Sequence, residues 1–205
     1  EAETVCWGSP FDYQQNALLY VPTDIPDPNS AAYQEAICEA AWPAIRAAGL
    51  SDRGSLVLCT SLRAMRRIHE LLQLKLQQES IDVPLLLQGE GSRTELLERF
   101  RISGNAILVA SVSFWEGVDV RGDALSLVVI DKLPFAPPDD PVLAARIEKL
   151  RAAGRNAFLE YQLPRAVISM KQGAGRLIRD ESDRGVLMIC DPRLIGKSYG
   201  RRIWQ

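Results

Sequence analysis

Three side chains in the last third of the chain are of the types that handle polyphosphates. In Gln172-Gly173-Ala174-Gly175-Arg176-Leu177-Ile178-Arg179, the residues Gln172, Arg176 and Arg179 stand at i, i+4 and i+7, so on a helix all three project from one face. The apolar spacing of Val167, Ile168, Leu177 and Ile178 predicts that a helix runs through the segment. Two glycines inside a helix cost roughly 1 kcal/mol each relative to alanine, which asks for a reason such as the close approach of another surface. Two guanidiniums and an amide on such a face make a polyphosphate clamp, because the planar Arg fork stays charged and can neutralise charge that develops on a γ-phosphoryl group during transfer. A solvated basic face partnered by Asp180, Glu181 and Asp183 is the alternative for the same pattern.

Further chemistry follows the apolar runs, and in open α/β sheets ligands bind at the carboxyl ends of strands. Ser111-Val112-Ser113-Phe114-Trp115-Glu116-Gly117-Val118-Asp119 sets two acids around a glycine directly beyond such a run. Gly117 lets the backbone approach a phosphate or turn with positive φ; an ordinary strand-to-helix turn with Phe114 and Trp115 in the core fits the same residues. Asp131-Lys132-Leu133-Pro134-Phe135-Ala136-Pro137-Pro138-Asp139-Asp140 is a rigid, charged exit suited to holding its shape against a partner surface. Its prolines would equally stop a strand and start a helix near Pro141. Thr60-Ser61, followed by Arg63, Arg66 and Arg67, can hold a nucleic-acid backbone through hydroxyls and the amide dipoles of a helix start, and either hydroxyl serves equally as a plain N-cap.

These residues need a scaffold, and the hydrophobic pattern supplies one. Short apolar runs at Leu56 to Cys59, Pro84 to Gln88, Ala106 to Ala110, Leu127 to Ile130 and Val186 to Cys190 alternate with segments of helical period, which predicts an α/β fold. Four of the five runs lack polar alternation, as strands buried on both faces do, so the sheet is expected to be mostly parallel and doubly wound, with helices on both faces. Met65, Ile68, Leu72 and Leu76 form one stripe of a helix over Leu62 to Gln78. Ser92-Arg93-Thr94-Glu95 fits a capping box that opens a helix through about Arg101, and Gly104 ends the connection. Pro10, Pro22, Pro26 and Pro28 make residues 1–30 an extended lead-in, with a helix from about Ala31 to Ala48. No internal repeat or low-complexity tract is present.

Composition narrows the classes. The 205 residues are 47% hydrophobic and 24% charged, enough for one globular unit with a sizeable core. A formal net charge of -2 gives no general electrostatic attraction to nucleic acid, so any such contact must come from local patches. Cys6, Cys38, Cys59 and Cys190 lie far apart with no C-x-x-C pair, and His69 is the only histidine, so neither a zinc nor an iron-sulfur site can be read. Cys59 and Cys190 end apolar runs and read as small buried thiols. With no run of some 18 apolar residues and no signal-peptide pattern at residues 1–20, the expectation is a protein without a membrane span, in a reducing, cytoplasmic setting.

Taken in order, these segments resemble the helicase motifs of the second RecA-like domain in XPD-like superfamily 2 enzymes. Leu56 to Ser61 is similar to motif IV, Ser113 to Val120 (SFWEGVDV) to motif V, and Gln172 to Arg179 (QGAGRLIR) to motif VI. Gly8 to Tyr13 (GSPFDY), the DKLPF from Asp131, and Asp183-Arg184-Gly185 resemble the DinG/YoaA branch, on its YoaA side, and the likeness covers nearly the whole chain. It implies that residues 1–30 lead in from a first motor domain and that 31–205 form the RecA-like helicase C-terminal domain. ATP would then bind between two lobes, with Arg176 and Arg179 as the catalytic arginines reaching across the cleft. Gln172, Gly117, Asp119 and Glu116 fall on the nucleotide side, and Thr60, Ser61, Arg63, Ser111 and Ser113 on the nucleic-acid side. It further implies 5′ to 3′ movement on single-stranded DNA, a role in repair or replication, and a replication or repair protein as a possible partner.

The parts needed for hydrolysis are missing from the chain itself. Gly196-Lys197-Ser198 mimics the end of a phosphate-binding loop, but Asp191 stands where a glycine is required and Pro192 and Arg193 occupy the loop. No D-E-x-H sequence occurs either. ATP and Mg2+ are therefore expected to be held mainly by the first lobe, the family's iron-sulfur cluster only there, and the fragment alone is expected to be inactive. Two rivals remain at this level. A free-standing transferase or dehydrogenase on a Rossmann-like sheet needs a glycine-rich first turn, which Cys59-Thr60-Ser61-Leu62 is not. A non-catalytic interaction module would use residues 1–50 or the cleft face as a docking surface.

Overall fold

A computed structural model describes residues 12–111, 114, 124–136, 140–175, 177–178 and 180–203, without the side chain of residue 201. The sheet is built from β1 (Ala17–Tyr20), β2 (Gly54–Cys59), β3 (Leu85–Leu87), β4 (Ile107–Ser111), β5 (Leu125–Ile130) and β6 (Gly185–Ile189). Its strands lie in the order β1-β6-β5-β2-β4-β3, and every pairing is parallel. The central strands β2 and β4 are buried along their whole length, which is why they read as unbroken apolar runs.

Alternate residues of these strands feed two separate cores. Val57, Val109, Val129 and Met188 face α2 (Tyr33–Leu50) and α3 (Leu62–Gln78), where Tyr33, Ile37, Ile68 and Leu72 meet them. Leu56, Leu58, Leu108, Val128 and Ile130 face the other way, against Leu96 and Phe100 of α4 (Arg93–Ser103) and Leu163 and Met170 of α6 (Leu163–Ala174). Each fully buried leucine contributes about 2 kcal/mol relative to exposure. A one-residue slip in any strand would exchange the two faces, so register and layering fix each other. Two helices carry little of this core: α1 (Tyr13–Asn16) has no buried residue, and α5 (Pro141–Ala152) buries only Leu143. A π-helical turn at Phe158–Gln162 leads into α6, and the short helices α7 (Arg193–Gly196) and α8 (Gly200–Ile203) close the described chain.

The stripe at Met65, Ile68, Leu72 and Leu76 is buried on α3 over the predicted residues. Ser92 caps α4 by accepting from the Glu95 N–H at 3.2 Å, and Gly104 stops it with φ +71, a value an L side chain adopts only with strain. Two expectations need correction. The lead-in over residues 1–30 contains β1, an edge strand paired with β6 from Ala17↔Gly185 to Tyr20↔Met188. The helix expected to run through Gln172–Arg179 ends at Ala174, with Gly175 at its carboxyl cap. Gly173 lies buried in the last turn of this helix and Gly175 at its cap, and the i, i+4, i+7 argument for a shared helical face does not apply beyond Gln172.

Candidate nucleotide and nucleic-acid interface

At the carboxyl end of the sheet the exits of β2 to β6 are tied to one another by polar groups. Asp131, immediately after β5 and 1% exposed, accepts from the Thr60 N–H at 3.0 Å, the Thr60 hydroxyl at 3.1 Å and the Lys132 N–H at 2.7 Å. The β5 exit thus grips the β2 exit. Asp191, immediately after β6 and fully buried, accepts from the Leu133 N–H at 2.8 Å and from the Arg193 guanidinium at 2.6 Å, which joins the β6 and β5 exits. From α2, the Tyr33 hydroxyl is shared between the carbonyls of Asp131 at 2.7 Å and Cys190 at 3.1 Å. On the other flank the Gln88 side-chain oxygen accepts from the Ser111 N–H at 2.7 Å and the Ser111 hydroxyl at 2.9 Å, fixing the β4 exit to β3. Above these ties, Phe135, Phe158 and Tyr199 pack as an aromatic cluster, and the Arg193 guanidinium stands 5.5 Å from the Phe135 ring centre.

Burial pushes the Asp131 carboxyl up to about 6, against the lowering effects of the Lys132 charge and of the Thr60 and Lys132 donors. The folded chain then binds this proton more tightly than the unfolded chain, whose carboxyl titrates near 3.8. The group's stabilising contribution is therefore full below about pH 4 and lost as pH rises through about 6. Urea unfolding of the parent chain and Asp131→Asn at a series of pH values checks the sign. The parent should lose on the order of 3 kcal/mol relative to the variant between about pH 4 and pH 7, and a pH-independent difference would contradict the assignment.

The nucleic-acid candidates fall into two kinds. Ser61 is exposed and caps α3, its hydroxyl accepting from the Ala64 N–H at 3.2 Å. Arg63 is exposed in the first turn of α3 and borders a cleft of about 430 Å³ with Arg66, Arg67 and Glu35. Thr60 and Ser111 have their hydroxyls engaged inside the protein by Asp131 and Gln88. Ser113, Glu116, Gly117, Asp119, Arg176 and Arg179 lie outside the described residues. Gln172 is exposed on the last turn of α6, at the other end of the sheet from Thr60, Ser61 and Arg63.

The segment after β4 leaves the carboxyl end of the sheet at Ser111 and returns at Ala124 to the amino end, where Leu177 of the second glycine-containing segment also packs. Ser111 ends β4, and the carbonyl of Phe114 accepts from Arg93 at the start of α4 at 2.8 Å. Leu177 packs where β5 and β6 begin, so close that a Cβ on Gly185 would meet its side chain and the Ser126 carbonyl. Leu177 and Ile178 are both buried in the core, which anchors the stretch after α6 from inside.

Asp131 and Asp191 as clamps, with Tyr33 and Gln88, are what sequence reasoning missed. The signal for the two acids was present, since each is an aspartate directly after a buried run, Val128-Val129-Ile130 and Met188-Ile189-Cys190; for Tyr33 there was none. Asp191 also disposes of the phosphate-loop mimic at Gly196-Lys197-Ser198, because a buried carboxylate occupies the turn before it. Nor do the cysteines among the described residues fit an iron-sulfur cluster. Cys38, Cys59 and Cys190 are buried, and burial raises all three thiols, that of Cys38 to about 12. No group of three or more metal-ligating side chains occurs among the described residues. No helix among them is long and apolar enough to cross a membrane.

Residues 45–205 match the family model of the helicase C-terminal domain. Over 200 residues the chain is 50% identical to the ATP-dependent DNA helicase YoaA of Escherichia coli (strain K12), a match covering 98% of this chain and 30% of that protein. It is 38% identical over 195 residues to the ATP-dependent helicase DinG of Mycobacterium tuberculosis (strain ATCC 25177 / H37Ra), covering 94% of this chain and 28% of that protein. The solved structure "XPD_Helicase" is similar with a TM-score of 0.69 and 22% identity, over 92% of this chain and 33% of that one, which is a likeness of fold. The chain spans about 30% of the length of the YoaA protein it matches.

Proposed function

The chain belongs to the helicase C-terminal domain family, on its DinG/YoaA, XPD-like branch, and from that premise we propose that it is the second motor lobe of an ATP-dependent DNA helicase. ATP and Mg2+ are held mainly by the first lobe, which also carries any iron-sulfur cluster. This lobe contributes Arg176 and Arg179 to the terminal phosphate, with Gln172, Gly117, Asp119 and Glu116 on the nucleotide side. Thr60, Ser61, Arg63, Ser111 and Ser113 line the path of a single strand that the motor moves along 5′ to 3′. Thr60 and Ser111 act there chiefly by shaping their loops, since their hydroxyls are engaged internally, whereas Ser61 and Arg63 face solvent.

The reading is carried by one family match that spans both glycine-containing segments, within residues 45–205. The described flank of the first at Ala124 and that of the second at Leu177 both stand where β5 and β6 begin. Cleft closure on ATP and opening after hydrolysis would alternate the grip of the two lobes on the strand. Work in repair or replication, in the cytoplasm and with a protein of those pathways, belongs to the same proposal.

Two assays test it. Single-stranded DNA should stimulate ATP turnover by the full-length protein and unwinding should need a 5′ tail, while this chain alone should hydrolyse no ATP. DNA-stimulated turnover by the isolated chain, or unwinding confined to 3′-tailed duplexes, would overturn it.

A further inference from the structure

The chain's charge is unevenly spread. Its net charge is -2, yet between Pro141 and Lys171 six Lys or Arg residues face only two Glu. That basic block is α5, the π-helical turn and α6, and α5 keeps all but Leu143 of its side chains out of the buried core. At its centre Tyr161, half-buried on the π-helical turn, accepts hydrogen bonds from Arg146 at 2.7 Å and Arg165 at 2.9 Å. Both guanidiniums are exposed and lie 5.4 and 5.5 Å from the ring centre.

Two cations converge here with no carboxylate between them among the described ion pairs. Glu160, next in sequence, is occupied by Arg155 and by the Asn156 N–H. A phenol oxygen that already accepts from two guanidiniums has one group left to offer, its own O–H, and no acceptor for it occurs among the described hydrogen bonds. Partial burial pushes this phenol up, but hydrogen bonds from Arg146 and Arg165 and their charges outweigh it and leave the phenol below its usual range. The spot favours negative charge and presents N–H and O–H donors to solvent beside an aromatic ring, the combination that tracks a nucleic-acid backbone while tolerating any base. Within the same turn, Phe158 packs 5.5 Å from Phe135 of the β5 exit, so the triad borders the carboxyl end of the sheet where Thr60 and Ser61 also stand. It lies on the α6 side, whereas Arg63 lies on the α3 side.

We propose that Arg146, Tyr161 and Arg165 form a second phosphodiester-binding site for single-stranded nucleic acid, across the sheet from Ser61 and Arg63. This rests on the helicase reading above and adds a place where the strand is held. One backbone phosphate is bridged by the two guanidiniums and receives the phenolic O–H, and a neighbouring base stacks on the exposed guanidinium or ring.

The test compares the full-length protein with Arg146→Ala/Arg165→Ala and with Arg99→Ala, which removes an exposed charge from α4, using an oligo-dT probe over a salt series. The double variant should bind about tenfold more weakly, with the slope of log affinity against log salt reduced by about 0.7, the share of one single-strand phosphate. Half-saturating DNA for ATP turnover should rise with it, while DNA-free turnover and turnover at saturating DNA stay unchanged. Tyr161→Phe should reproduce part of the loss, and Arg99→Ala none. Unchanged affinity and slope in the double variant, with the parent binding normally, would overturn this site alone. A parent that neither binds the probe nor responds to it in turnover would remove the helicase reading and the site with it.

Discussion

Arg179→Ala in the full-length protein is expected to lower DNA-stimulated ATP turnover by about 10³-fold or more, the worth of an arginine that neutralises charge on a transferring phosphoryl group. The charge on the γ-phosphate oxygens is spread over three atoms, and a planar fork can satisfy two of them at once. Arg179→Lys keeps the charge but not the fork and should recover only a small part of the loss. Arg176→Ala should fall in the same class. Affinity for single-stranded DNA should change little in all three, since the interaction belongs to the transition state of the nucleotide. Leu177 and Ile178 anchor this stretch in the core, so thermal unfolding should stay within a degree or two of the parent, about 0.5 kcal/mol for a domain of this size. Turnover within tenfold of the parent would remove the catalytic role; a large fall in unfolding temperature would turn the result into one about folding.

The second large effect belongs to the scaffold. Arg193→Ala should destabilise the domain by about 3 kcal/mol, because it leaves a fully buried carboxylate without its cation. Asp191 keeps the N–H donors of Leu133 and residue 193 at 2.8 and 2.9 Å, which holds the cost to the low end of that class, while the Arg193 stacking on Phe135 is lost as well. The reverse substitution, Asp191→Ala, should cost less. The Arg193 side chain is 27% exposed and can turn toward water, whereas the carboxylate cannot. At 2–4 °C per kcal/mol for a domain of this size, Arg193→Ala should lower the unfolding temperature by about 6–12 °C. Calorimetry of both single variants and the double variant checks it. A smaller loss for Arg193→Ala than for Asp191→Ala would contradict the reading of Asp191 as a desolvated charge.

The parts of this molecule governed by local pattern are legible in its amino-acid sequence. A four-residue stripe marks α3, Ser92 with Glu95 marks the start of α4, and unbroken apolar runs mark the strands buried on both faces. What escapes is decided by partners distant in sequence. The strand β1 is four residues long, with Leu18, Leu19 and Tyr20 exposed, so neither burial nor alternation distinguishes it from extended chain; only pairing with β6 makes it a strand. Periodicity carries the helical reading past Ala174, where the helix ends with Gly175 at its cap. The candidate arginines are legible as residue types in a motif, while the polar framework around the strand exits is legible only as two aspartates after apolar runs, without their partners. Asp131 reads as a charged loop residue until Thr60, 71 residues away, is seen against it.

The most direct test of the central claim is the structure of the full-length protein bound to single-stranded DNA and ADP-aluminium fluoride, a mimic of the transferring phosphoryl group. In that complex the Arg179 guanidinium should lie within hydrogen-bond distance of the fluoroaluminate, about 3 Å, with Arg176 beside it and the two lobes closed around the nucleotide. A closed complex in which neither arginine approaches that group would contradict it.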